Sequence, residues 1–281
     1  MADFPRAFIC GHPIEHSRSP LIHNYWLKQF GLKGSYERID VKPEDLSAFL
    51  SGLKEAGFVG GNTTLPHKEA VFELVENTDD AANAIGAVNT VWFEGDKLMA
   101  SNTDAYGFAA NLDDQLPNWR QAKRAMVFGA GGASRAILYA LNEAGYEHVD
   151  LINRTLPRAQ ALANAFGDHI NAASWEAATQ LITQADLLIN TTSLGMEGQP
   201  DFPAIFDKAR ADALASDIVY TPLETPFLKM AKQCGQKTSD GLGMLLHQAV
   251  PGFEKWFGVK PVVGETLRTL VLDDINNKGT S

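Results

Sequence analysis

Arg154 and Arg158 lie one helical turn apart, beside Asn153 and Thr155 and just after the apolar run Val149-Asp150-Leu151-Ile152. A guanidinium grips phosphate oxygens through a planar fork of donors, so two arginines and a threonine hydroxyl suit a ribose 2′-phosphate. An Asp or Glu in that place would suit free ribose hydroxyls instead. Both arginines could simply begin a solvated helix, but arginine is a poor choice near the positive end of a helix dipole. Upstream, Ala125-Met126-Val127-Phe128 reads as a strand, followed by Gly129-Ala130-Gly131-Gly132-Ala133-Ser134 and helical Arg135 to Leu141, with Gly145 placed to stop the helix. Glycines between a strand and a helix let the backbone approach a pyrophosphate whose charge rests on the helix N-terminus. Ser134 departs from the third glycine, yet is small enough for helix and strand to pack closely. The stretch predicts a dinucleotide site, for NADP rather than NAD.

Three polar clusters precede it, each where a strand or hairpin ends, which is where α/β proteins place ligands. In Gly11-His12-Pro13-Ile14-Glu15-His16-Ser17-Arg18-Ser19-Pro20, the alternate hydroxyls of Ser17 and Ser19 could both donate to one anion. Equally, Ser19 could cap a helix while Ser17 faces water. In Gly60-Gly61-Asn62-Thr63-Thr64-Leu65-Pro66-His67-Lys68, a lysine falls in the first turn of a helix. The dipole disfavours a cation there, which suits a lysine that must shed a proton, although most lysines are merely exposed. The third cluster joins Gly86-Ala87-Val88-Asn89-Thr90 to Ser101-Asn102-Thr103-Asp104-Ala105-Tyr106-Gly107. Asn89 and Asp104 are short polar arms suited to substrate hydroxyls, though Asn-Thr-Asp is also an ordinary helix cap. Cys10, His12, His16 and His23 match no familiar structural zinc spacing, so no metal is expected and Cys10 reads as a small buried strand residue.

The elements that must carry these groups alternate. Strands are expected at Ala7 to Gly11, Ser35 to Val41 and Phe58 to Thr64, and helices at Ser19-Pro20 through Gln29, Pro43 to Ala56 and from Pro66. Ala87 to Phe93 and Lys97 to Ser101 form a hairpin turning at Glu94-Gly95-Asp96. Further strands are expected at Leu187 to Asn190 and Asp217 to Tyr220, and a helical tail from Gly241 to Asn276. At 281 residues the chain suits two modest domains, and 45% hydrophobic with 21% charged residues is an ordinary globular composition. A net charge of −10 argues against nucleic acid. Met-Ala-Asp-Phe-Pro-Arg does not open a signal peptide, no stretch is long enough to cross a bilayer, and two cysteines, Cys10 and Cys234, fit a reducing cytoplasm.

Together the clusters resemble the shikimate dehydrogenase family. Its Gly-x-Pro-Ile-x-His-Ser-x-Ser-Pro with a following His-Asn is met by Gly11 to Pro20 and His23-Asn24. Its Asn-Val-Thr-x-Pro-x-Lys is met by Asn62 to Lys68, with Thr63 for valine. Ala87 to Thr90, Asn102-Thr103-Asp104 with Gly107, Gly129 to Ala133, Asn153-Arg154-Thr155, Asn190 to Met196, Tyr220-Thr-Pro222 and Asp240 to Gln248 come next in order, covering nearly the whole chain.

The resemblance implies an α/β protein: an N-terminal α/β substrate domain (1–107, completed by C-terminal helices in 241–281) and a Rossmann-like NADP-binding domain (108–240), with the active site in the interdomain cleft. It implies Lys68 and Asp104 as the catalytic pair and Ser17 and Ser19 on the substrate carboxylate. Thr64, Asn89, Tyr220 and Gln248 would complete the substrate site, with Asn62 nearby and Asp104 also on a hydroxyl. NADP would be held by Gly129, Ala130, Gly131, Gly132, Ala133, Asn153, Arg154, Thr155 and Arg158. Ile218, Gly241 and Met244 would flank the nicotinamide, and Asp80 would also contact the cofactor. The implied activity is reversible oxidation of shikimate to 3-dehydroshikimate for aromatic precursors, by a monomer or homodimer. The alternatives are a broader quinate/shikimate dehydrogenase and an NADPH-sensing regulator, which would have no use for a proton-transfer pair.

Overall fold

The computed structural model describes residues 4–278; Met1 to Asp3 at the start and residues 279–281 of the expected C-terminal segment lie outside the described residues. The chain divides into two compact units, one running to Thr103 and resuming at Leu246, the other Asp104–Leu245. The boundaries expected from the sequence were 107/108 and 240/241.

In chain order the first unit holds β1 (Arg6–Gly11), α1 (Ser19–Gln29), β2 (Ser35–Asp40), α2 (Leu46–Gly52), β3 (Phe58–Thr63), α3 (Lys68–Leu74), β4 (Asn77–Thr78), α4 (Asp80–Ile85), β5 (Thr90–Glu94) and β6 (Lys97–Ser101). The second holds α5 (Asp104–Gln115), β7 (Arg124–Phe128), α6 (Gly132–Glu143), β8 (His148–Ile152), α7 (Leu156–Phe166), β9 (Ile170–Ala173), α8 (Trp175–Leu181), β10 (Leu187–Asn190), β11 (Leu214–Asp217), α9 (Pro226–Gln233) and β12 (Lys237–Ser239). Then come α10 (Leu242–His247), α11 (Ala249–Phe257) and α12 (Glu265–Lys278).

The first unit's sheet runs β2-β1-β3-β5-β6-β4 and is mixed: β1 pairs in parallel with β2 and β3, whereas β5 is antiparallel to both β3 and β6. One face buries Phe8, Cys10, Phe58 and Val91 against Leu46 and Leu50 of α2 and Val71 of α3; on another, Ala7, Ile9, Tyr36 and Trp92 meet Trp256 of α11. The Trp256 indole donates to the Val91 carbonyl at 2.9 Å, pinning α11 to β5. Burial of Cys10 pushes its thiol up to about 12, so it is an inert packing residue.

The second unit's sheet is wholly parallel, β12-β11-β10-β7-β8-β9, the doubly wound order in which ligands sit beyond the strands' carboxyl ends. Being covered on both faces, its strands are near-continuous apolar runs, such as Leu187-Leu188-Ile189. Phe128, Phe202, Phe206 and Phe227 interlock edge to face beside it.

Several local expectations need correcting. Ser19 is the first residue of α1 rather than its cap; Arg18 precedes the helix, with no side-chain cap. The helix expected over Pro43 to Ala56 is a 3-10 turn at Pro43–Asp45 followed by α2, which ends in turns as Leu53 N–H and Ala56 N–H donate to Leu50 and Gly52 carbonyls. α3 begins at Lys68, not Pro66, because His67 N–H closes a turn onto Thr64 O at 2.8 Å. The strand expected at Asp217 to Tyr220 ends at Asp217, whose own carboxylate takes the Val219 N–H at 2.9 Å. Strands β4, β9 and β12 and helices α4, α8 and α9 are not among the elements expected from the sequence. Among the described residues no helix is long and apolar enough to cross a membrane.

Candidate functional site

At the end of the first unit's sheet, buried amides and hydroxyls satisfy one another. The Asn62 amide donates to Asn89 O at 2.9 Å and Thr90 Oγ1 at 3.0 Å, and its Oδ1 accepts the Tyr36 hydroxyl at 2.5 Å. Asn89 Oδ1 accepts Thr103 N–H at 2.9 Å, with the Thr90 and Thr103 hydroxyls also within reach at 2.8 and 3.1 Å. The Thr103 hydroxyl lies 2.8 Å from Gln248 O, so the start of the returning segment is tied to the same network. Ser17 Oγ accepts the Ser19 N–H at 3.3 Å, while Arg38 holds Ser17 O through Nε and Nη2 at 2.9 and 2.6 Å. Thr64 N–H donates to Cys10 O at 2.9 Å, fixing Thr64 at the carboxyl ends of β1 and β3. Lys68, half-buried, takes the Val88 N–H on its carbonyl at 2.8 Å, which joins α3 to the strand end carrying Asn89. Thr63 donates to Val88 O at 2.7 Å, so threonine serves there as valine would and gains a bond. The structure therefore brings Asn62, Asn89 and Gln248 into one network, with Thr64 at the adjoining strand end and Lys68 at the first position of α3. Asp80 stands elsewhere, exposed at the first position of α4 behind the capping Asp79.

Beneath this network lies His23, fully buried among Trp26, Tyr36, Phe253 and Trp256 and stacked on Tyr36 with centroids 4.1 Å apart. Burial pushes its imidazole down to about 3, opposed by nearby Asn62, although neither ring nitrogen meets hydrogen-bond geometry among the described residues. Burial likewise holds the Tyr36 phenol well above its usual range, with Ser19 opposing. Tyr36 therefore links α1 to β3.

In the second unit, β7 delivers the glycine turn. Gly129 has φ +106°, open to glycine and hard for other residues, and a Cβ there would lie 2.7 Å from Thr191 Oγ1. Gly131 and Gly132 differ, since a Cβ at either would meet no protein atom within 4 Å. Protein packing does not demand glycine there, and the open space leaves the backbone accessible to close approach by a phosphate. Ser134, fully buried as the third residue of α6, accepts Gly131 N–H at 3.0 Å and donates to Gly129 O at 2.8 Å, with Thr191 Oγ1 at 2.7 Å. Its hydroxyl latches the turn, a task beyond mere smallness. Asn153 accepts Ala130 N–H at 3.3 Å and donates to Thr155 O at 2.9 Å, bridging the turn to α7. Ala133, Arg154, Thr155 and Arg158 are exposed, and neither guanidinium has a partner among the described residues. This open helix N-terminus flanked by uncommitted arginines fits a dinucleotide with a 2′-phosphate.

Ile218 and Tyr220 come after β11, both half-buried. Fully buried Asp217 anchors them: it accepts Asn190 Nδ2 at 3.1 Å, Val219 N–H at 2.9 Å and the Thr225 hydroxyl at 2.6 Å. Burial nonetheless pushes its carboxyl up to about 6, the three donors opposing. Gly241 is required where it stands, since a Cβ would overlap the Ile218 carbonyl. The backbones of two expected nicotinamide-flanking residues are thereby in direct contact, and Met244 comes next in α10. Asp104, half-buried, is the first residue of α5.

The sequence singles out neither Tyr36, Asp217 nor the bonding of Ser134, and it offers His23 only as a rejected zinc ligand and as part of the His23-Asn24 motif. Only Ser134 offered a signal, as a polar residue in a glycine position.

Residues 9–91 match the family described as shikimate dehydrogenase substrate binding domain, 112–196 that of shikimate/quinate 5-dehydrogenase, and 241–270 the shikimate 5′-dehydrogenase C-terminal domain. The chain is 55% identical to shikimate dehydrogenase (NADP(+)) of Brucella abortus (strain S19), covering 99% of this chain and 98% of that one. Shikimate 5-dehydrogenase of Thermus thermophilus, solved with NADP(H) and shikimate, superimposes with TM-score 0.83 at 38% identity, covering 97% of this chain and 99% of that one. Quinate dehydrogenase of Corynebacterium glutamicum, solved with NAD, gives TM-score 0.88 at 31% identity over 96% and 99%. The likeness to these relatives runs along the full length of the chain, which belongs to the shikimate dehydrogenase family.

Proposed function

We propose that this protein oxidises shikimate reversibly to 3-dehydroshikimate with NADP, its biosynthetic direction being reduction by NADPH. The observation that carries this reading is that Lys68 and Asp104 each occupy the first position of a helix, α3 and α5. A sensor of the cofactor needs neither. Bound NADP+ supplies the hydride acceptor. As hydride leaves the carbinol carbon, its hydroxyl proton must go to a base, and Lys68 takes it. Asp104 holds a substrate hydroxyl and orients the lysine. Ser17 and Ser19 donate to the carboxylate, while Thr64, Asn89, Tyr220 and Gln248 complete the substrate's surroundings and Asn62 braces Asn89. Gly129 to Ala133 receive the pyrophosphate, and Asn153, Arg154, Thr155 and Arg158 the adenosine end with its 2′-phosphate. Ile218, Gly241 and Met244 flank the nicotinamide, with Asp80 a further cofactor contact. Cys10 and Cys234, neither of them paired, fit a reducing cytoplasm.

The test is NADPH absorbance with shikimate and quinate against both cofactors. Shikimate with NADP+ should be the fastest of the four combinations by a wide margin. Absence of turnover with shikimate and either cofactor would sink the reading.

A further inference from the structure

α5 carries three polar residues in one stripe. Asn111 and Gln115 lie seven and eleven positions beyond Asp104, which at about 100° per residue leaves all three within about 20° of one direction. Asn111 is buried and Gln115 half-buried, and their amides close around Asp240. Asn111 Nδ2 donates to Asp240 O at 2.7 Å and to Ser239 Oγ at 3.1 Å. Gln115 Oε1 accepts the Asp240 N–H at 3.4 Å, and Gln115 Nε2 donates to Asn111 Oδ1 at 2.6 Å. Both backbone groups of Asp240 are therefore held by α5, and the two holding side chains hold each other. The sequence makes room for this: a Cβ at Gly243 would overlap Asn111 Oδ1. Asp240 Oδ1 in turn accepts the N–H of Leu242, the first residue of α10, at 3.0 Å.

We propose that Asn111 and Gln115 are positioning residues that set the 239–244 segment, with Gly241 and Met244, relative to Asp104 on the same helix. This rests on the shikimate dehydrogenase reading. β12 ends at Ser239, so no sheet ladder restrains the residues beyond it; the amide pair replaces it. From Asp104 to Asn111 the helix spans about 10 Å of rigid backbone, ending in a grip on the residue before Gly241. A displacement of about 1 Å between reacting groups can cost on the order of a hundredfold in rate. The 2′-phosphate is held elsewhere, after β8, so losing the grip should spare cofactor affinity.

Asn111→Leu keeps the volume and loses the amide. It should lower kcat about ten- to a hundredfold, with the NADPH dissociation constant, read by fluorescence, and the shikimate KM within about threefold. Gln115→Met, at a half-buried position, should show the same split more weakly and guards against a variant that fails to fold. Gly243→Ala, which drives a methyl group into the amide, should lose kcat as well, and combining it with Asn111→Ala should add little to the loss caused by Asn111→Ala alone. Wild-type kcat in both Asn111→Leu and Gln115→Met overturns the proposal, as does a loss in which NADPH affinity falls as far as kcat. An unmodified protein inactive on shikimate would overturn the functional reading, and this proposal with it. Active wild type with undisturbed variants overturns this proposal alone.

Discussion

In the first unit Asn62, Asn89, Thr90 and Thr103 are buried and spend their hydrogen bonds largely on one another. In the second, Arg154 and Arg158 stand in water with no partner among the described residues, beside a glycine turn whose own bonds are made by Ser134 and Asn153. A small ring acid brings one charge and a few hydroxyls, so its site must be shaped before it arrives. A dinucleotide phosphate brings enough charge to recruit flexible side chains on binding. The same contrast separates His23 and Asp217, two of the buried titratable groups. His23 is held neutral by aromatic rings, whereas Asp217 is surrounded by donors from Asn190, Val219 and Thr225. Shape is fixed around His23 by apolar enclosure and mutual amides, and at the end of β11 by the buried carboxylate of Asp217.

The largest expected effect lies in the first unit. Lys68→Ala should lower kcat by about 10²–10⁴, the usual worth of a positioned general base, and leave the shikimate KM comparatively unchanged. Asp104→Ala should harm both parameters, because its carboxylate would bind substrate as well as orient the lysine. A Lys68→Ala enzyme with near wild-type kcat would end the assignment.

Next comes acid stability, where the two units should pull in opposite directions. The folded His23 pKa lies near 3 against an ordinary value of 6.5, so only the unfolded chain takes up that proton between these values. This group's contribution is present above pH 6.5 and is lost as pH falls towards 3, by about 3 kcal/mol at pH 4.5. Asp217 has the reverse sign: its folded value near 6 lies above the ordinary 3.8, so the folded state gains stability as pH falls from about 6 to 3.8. His23→Phe should retain the ring stack and flatten or invert the fall of stability below pH 6.5, measured as urea midpoint against pH. Asp217→Asn should steepen it. A His23→Phe midpoint that tracks wild type across this window would show that the imidazole is not the group being titrated.

Arg154→Ala should act on the open half alone. One charge-assisted hydrogen bond is worth about 1.5–3 kcal/mol, so NADP should bind roughly ten- to a hundredfold more weakly. NAD, which lacks the 2′-phosphate, should be little affected, and the urea midpoint should not move, since an exposed guanidinium without partners supports nothing in the fold. Equal rises in KM for NAD and NADP would mean that the phosphate clamp is misassigned.

Legibility in the sequence divides along similar lines. β7, the glycine turn, α6 and β8 were legible because their signal is local: an apolar run, glycines and a helix in sequence. β4, β9 and β12 were not, since two to four residues carry no usable period and their pairing partners lie far along the chain. Ile218-Val219-Tyr220 looked like strand, and only the side chain of Asp217 bending back to Val219 N–H ends it. Lys68, Ser17 and Ser19 could be proposed from residue type and position. Tyr36 could not, because its role depends on Asn62, twenty-six residues away. The roles of Gln248 and Tyr220 came from family resemblance alone.

The smallest effect concerns which ring acid is used. Shikimate carries its carboxylate on a planar, unsaturated carbon, whereas quinate carries it on a tetrahedral one bearing an added hydroxyl. Ser19 is buried at the first position of α1, with its N–H on Ser17 Oγ, so an extra methyl group there meets packed surroundings. The family resemblance implies threonine at this position in members that use quinate, so serine is the expectation for a shikimate-type site. A pocket that rejects only an added hydroxyl discriminates by roughly a hundredfold or less. Wild type should therefore show kcat/KM for shikimate well above that for quinate while still turning over some quinate, and Ser19→Thr should narrow the gap. Because Ser19 sits in the preshaped half, the change should appear in the ratio of the two acids and leave the KM for NADP alone. Equal efficiency on both acids in the unmodified protein would overturn the shikimate assignment in favour of a broader quinate/shikimate enzyme, and would show that the mutual amides of the first unit do not make its pocket selective.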